Sequence, residues 1–149
     1  MRRLLAGAAL LAVTPLVLVG CGDDDDPFEA YCDEVKAQRE TLSEDLVGGA
    51  TALIDALPEF ERLREKSPDD LRDEWDTVTS RIGDLVDALE DADVEPATYD
   101  REQPPSGLTD DERRAIDDAA RAMATPEMLE ALDGVEQQAR DVCKTPLTL

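Results

Sequence analysis

Three thiols and not one imidazole bound the chemistry open to this chain. The thiols are Cys21, Cys32 and Cys143, set among 37 acidic and 15 basic side chains with no His. Nucleophilic triads need a base beside the nucleophile, and without His the usual base is missing. Zinc sites are built from His and Cys, of which only the three Cys are present, and there is no Gly-rich phosphate loop. Paired carboxylates can hydrolyse glycosides, yet with 37 acids in the chain a pair picked out by sequence is uninformative. The run Asp23 to Asp26 lacks the spacing of a calcium loop, whose acids alternate with other residues and end in a Glu at the twelfth position. These residues therefore offer no catalytic group and no metal site, and the chain is expected not to be an enzyme.

One thiol stands in a different setting. Arg2 and Arg3 form a positive start, Leu4 to Val19 an apolar middle, and Gly20 a small residue directly before Cys21. That is the layout of an export signal. A membrane span that stays in the mature protein needs about 20 apolar residues. This run is shorter, carries Pro15, and meets acids with no positive stop-transfer flank. The stretch Leu18-Val19-Gly20-Cys21 resembles the lipobox of bacterial lipoprotein precursors. The resemblance implies that the Cys21 thiol receives a diacylglyceryl group and that a peptidase cuts just before it. No other cofactor is expected. Two acyl chains hold a protein stably at a bilayer where one does not, so residues 21–149 would sit on the extracytoplasmic face of the cell membrane.

Composition agrees with such a location. Removing residues 1–20 takes away two arginines and no acid, leaving the chain two units more negative than the −22 of the whole. Nucleic-acid binding rests on neutralising phosphates with Lys and Arg, and attraction to anionic lipid heads takes basic clusters; neither fits. The acids read as a solvated surface. With Cys21 taken up by lipid, Cys32 and Cys143 remain as an even pair in an oxidising exterior, where disulfides persist.

The elements that must position that pair are helical. Residues 21–26 form a short acidic tether kept extended by like charges. Asp26-Pro27-Phe28-Glu29 is a helix start, with Asp as N-cap and Pro at the first position. Phe28, Tyr31, Cys32, Val35, Leu42 and Leu46 then share one face, and Gly48-Gly49 ends the helix. A second helix from about Ala50 carries Leu53, Ile54, Leu57, Phe60 and Leu63. Pro58 should kink it or divide it into two short pieces. Ser67-Pro68-Asp69-Asp70 starts a third, with Ser67 as cap. Leu71, Trp75, Val78, Ile82, Leu85 and Leu89 follow at alternating steps of four and three, a seam made for packing against other helices.

The segment from Asp93 to Leu108 reads as a loop, broken by Pro96, Pro104-Pro105 and Gly107. It is longer than most connections, so it is open to partner contact or to disorder; Tyr99 is its one aromatic. Thr109-Asp110-Asp111-Glu112 is a capping box, and Ile116, Ala119, Ala120 and Met123 line the inner side of the helix it starts. Thr125-Pro126 restarts that helix, and Met128, Leu132, Val135, Ala139 and Val142 continue the seam to Cys143.

Short connections make neighbouring helices antiparallel. The predicted fold is all-α, an up-down bundle of about four helices over residues 27–145, the last broken near Thr125, with 146–149 as a tail. Such a bundle brings entry and exit to one end, where a Cys32–Cys143 disulfide would staple the first helix to the last. Tyr31-Cys32, Pro68-Asp69-Asp70-Leu71 and Cys143 together resemble small secreted and lipid-anchored helical proteins of actinobacteria. That resemblance implies fold and compartment and no ligand or activity. The expected role is a non-catalytic interaction module contacting an envelope protein; the alternative is a small-ligand or cation binder beside a transporter. An apolar cavity in the bundle favours the alternative, and a solid core with an exposed apolar groove favours the module.

Overall fold

The computed structural model describes residues 27–47 and 51–149. The expected leader, the tether with Cys21, the Asp26 cap and the Gly48-Gly49 stop all lie outside the described residues. The described chain is all-α, with six helices where about four were expected. The first, α1 (Pro27–Asp45), buries Tyr31, Cys32, Val35 and Leu42 along one face.

The second expected helix is two: a single turn, α2 (Ala52–Asp55), and α3 (Leu57–Lys66). Pro58 is the reason. It sits in the first turn of α3, where a missing N–H leaves nothing unpaired, and it cannot donate back to α2. The hinge falls on Ala56, which is fully buried and donates to Ala52 O while accepting from Phe60 N.

Ser67 does not cap the helix that follows it. Its backbone is extended at the end of α3, and its buried hydroxyl donates to Arg64 O at 2.7 Å. A 3-10 turn (Asp69–Leu71) then leads into α4 (Arg72–Asp91). Along α4 the seam residues Leu71, Trp75, Val78, Ile82 and Leu89 are buried, and Leu85 is half-buried. Thr79 is buried beside them although it is polar, because its hydroxyl donates to Trp75 O one turn back.

The end of α4 is a Schellman motif. Asp93 takes the left-handed conformation (φ 53°), Val94 N donates to Leu89 O, and Asp93 N donates to Glu90 O. Val94 is thereby folded onto Leu89. The segment that follows includes a 3-10 turn, Pro96–Thr98, and leads to α5 (Asp110–Ala122), whose Thr109–Glu112 capping box forms as the sequence predicts. Thr125, with extended backbone and its hydroxyl accepting from Met128 N, then caps α6 (Pro126–Asp141).

Helix α4 is the centre of the molecule, with α3, α5 and α6 packed on it and α1 on α3. Arg81 of α4 meets Glu127 of α6, and Glu74 faces Gly134, so these two helices run in opposite directions. The main core joins α1, α3, the first half of α4 and α6 around Trp75, Tyr31 and Phe60. A second, smaller cluster joins the end of α4 to α5 through Leu89, Val94 and Ile116.

Two boundaries differ from expectation. Val142, expected in the α6 seam, is 43% exposed, and Cys143, just past the helix, is the buried residue. The chain then turns back at Lys144 (φ 53°), so the expected tail joins the core: Leu147 is buried, and Leu149 N donates to Glu136 Oε1 at 2.7 Å. Among the described residues no helix is long and apolar enough to cross a membrane.

Candidate functional site

The structure joins two of the three thiols. Cys32, in the second turn of α1, and Cys143 form a disulfide with Cα atoms 4.9 Å apart, within the usual range for a bridge. Cys21 lies outside the described residues. The bridged pair is buried and structural; it closes a loop with a sequence separation of 111 residues and leaves no thiol there for chemistry.

Asp73, Glu74, Glu127 and Glu130 line one pocket between α4 and α6. Among the described residues no three His, Cys, Asp or Glu side chains come together as a metal-binding group. Arginines are distributed among the acids in pairs, many of them one helical turn apart, such as Arg72–Asp69 and Arg113–Asp110. A concavity of about 570 Å³ lies between α3 and α4 and is lined by Glu61, Arg64, Asp76 and Arg81. Its arginines are already paired, Arg64 with Asp76 and Arg81 with Glu127, and it is open to solvent, so it is a polar surface groove.

A smaller cavity has a different character. It measures about 220 Å³ and lies between α2, α4, α5 and the 93–108 segment. Its apolar walls are Ile54 from α2, Leu85 and Leu89 from α4, and Ile116 and Ala120 from α5. Each wall has a local cause. The Pro58 hinge sets α2 off from α3, the α4 seam supplies Leu85 and Leu89, and the capping box fixes where α5 begins and so where Ile116 lies.

Tyr99, Arg101 and Asp117 supply the polar edge of the same cavity. Tyr99 follows the 3-10 turn, and its N–H donates to Pro96 O. Asp100 Oδ1 accepts from Glu102 N at 2.8 Å and Gln103 N at 3.2 Å, a local turn that presents Arg101. Arg101 Nε lies 3.0 Å from Asp117 Oδ1, and Arg121 stands 3.8 Å from the other oxygen. Yet Asp117 Oδ1 is withdrawn from solvent and accepts no hydrogen bond, because the Arg101 N–H is not aimed at it. A buried acceptor without a donor is costly unless something else supplies one.

Of these residues the sequence singled out only Tyr99, as the one aromatic of the loop. Arg101 and Asp117 carried no signal, since Asp117 is one of 37 acids and its neighbour arrives from 16 positions away. The arrangement can hold a small molecule with an apolar body and one polar end. No family model, no curated protein and no solved structure matches this chain.

Proposed function

We propose that this chain is a lipid-anchored protein of the extracytoplasmic membrane face, held by diacylglyceryl at Cys21, whose helical domain works by binding and not by catalysis. We take this domain as a four-member up-down bundle, counting α2–α3 and α5–α6 as one broken member each; its all-α character supports that reading. The observation that carries the compartment is the Cys32–Cys143 disulfide. Such bonds persist outside the cytoplasm, where an export signal ending at Gly20 would deliver the chain. The leading reading of its role is an interaction module for an envelope protein, supported by the buried main core around Trp75, Tyr31 and Phe60, one of the two features that favour it.

The test has two arms. Labelled fatty acid should enter the wild type and be lost in Cys21→Ser, with the protein leaving the membrane fraction; equal labelling of the variant overturns the anchor. One envelope protein should copurify with the wild type at constant stoichiometry from its own membranes; the absence of any such protein overturns the module. A second reading, small-ligand binding, is favoured by one observation, the cavity between Leu85, Leu89 and Ile116.

A further inference from the structure

We infer that the cavity between α2, α4, α5 and the 93–108 segment takes a small primary amine with an apolar body of about one ring, its ammonium group on Asp117. This rests on the small-ligand reading and gives it a chemical class. The size sets the body. A dry apolar cavity of about 150 Å³ holds benzene, and drug-sized ligands need roughly 300 Å³ or more. At about 220 Å³ this one accommodates a ring and a short tail.

The polar edge sets the head group. Asp117 Oδ1 is buried and lacks a donor, and an ammonium brings three. Arg101 and Arg121 are the present neighbours of the carboxylate, but their side chains are 60% and 59% exposed and neither donates a hydrogen bond to the buried Oδ1. An ammonium seated deeper can therefore take the carboxylate and release Arg101 to solvent. Tyr99 lines the same cavity, and an aromatic ring attracts a cation placed over its face. The net charge of −22 draws cations toward the surface and repels carboxylate ligands. An apolar acid of equal size would meet Asp117 as a like charge.

Three probes of one shape separate the possibilities: 2-phenylethylamine, 2-phenylethanol and 3-phenylpropionate. Each is titrated into the full chain in detergent micelles while the amide resonances of Leu85, Leu89 and Ile116 are followed by NMR. The amine should give saturable shifts at these residues, with a dissociation constant at least tenfold below that of the alcohol and no saturation by the acid. Asp117→Asn should weaken the amine at least tenfold and leave the alcohol unchanged. Ala120→Phe, which fills the cavity, should abolish both; should it fail to fold, Ala120→Leu takes its place. Equal binding of amine and alcohol, insensitive to Asp117→Asn but blocked by filling, overturns the amine and leaves the cavity a ligand site. No saturable shift with any probe, or shifts that survive filling, overturns both.

Discussion

Trp75 Nε1 donates to the Tyr31 hydroxyl at 3.1 Å, across 44 positions of sequence, with both side chains fully buried. The bond ties α1 to α4 in the middle of the main core. Burial pushes the Tyr31 phenol up to about 12, with the Trp75 hydrogen bond pulling weakly the other way. The folded state therefore disfavours the phenolate. Because the folded value is raised, the stability linked to it is complete below pH 10 and is lost as pH rises toward 12. Wild-type melting temperature should fall more steeply than that of Tyr31→Phe across this window; parallel curves would refute the linkage. At neutral pH Tyr31→Phe should cost about 1–3 kcal/mol, because the buried indole N–H loses its acceptor.

The Cys32–Cys143 bridge closes nearly the whole domain, at a separation of 111 residues. In the chain-entropy model such a loop contributes roughly 4–5 kcal/mol, of which real proteins realise part. Reduction, or Cys143→Ser, should lower the melting temperature by about 10 °C. Lipidation at Cys21 should be untouched. A melting point indifferent to reductant would count against the staple.

At the acid end, Glu112 is held below its ordinary value of 4.5, first by the Thr109 backbone N–H and then by the Thr109 hydroxyl. A depressed carboxyl contributes stability above its unfolded value, lost as pH falls through the folded one. Glu112→Gln should therefore flatten the fall in melting temperature below about pH 4.5. An acid limb identical to wild type would show that the capping box does not hold the carboxylate.

Two glycines inside helices should respond differently to Ala. A Cβ on Gly83 meets nothing within 4 Å, so Gly83→Ala should stabilise by about 0.5–1 kcal/mol through helix propensity alone. On Gly134 it would stand 3.2 Å from Glu74 Cγ, which must move aside. Gly134→Ala should gain less than Gly83→Ala in thermal melts. The reverse order would mean that Glu74 does not pack over α6.

The chain end offers the plainest stability test. Leu147 is 3% exposed and belongs to the main core, so Leu147→Ala should cost about 2–3 kcal/mol in denaturant melts. A dispensable tail would show no change.

The sequence alone determined the class and most of the helix starts. Thr109–Glu112 and Thr125-Pro126 act where they stand, because a cap is satisfied by bonds within three or four residues. The Leu71-to-Leu89 seam was legible for the same reason, since a helix face follows from spacing. What the sequence could not decide were contacts made by distant chain. Ser67 could cap the helix before it or the one after it, and the extended turn at Pro68 gave it to the first. Residues 93–108 had no periodicity to mark them as ordered, and only the packing of Val94, Tyr99 and Leu108 against Leu89 and Ile116 folds them in. Leu147 looked like a tail because its partners lie in the main core, reached only after the turn at Lys144. The cavity is of this kind as well. Its walls come from four separated segments, and a void is a property of how they meet, which no single stretch of sequence contains.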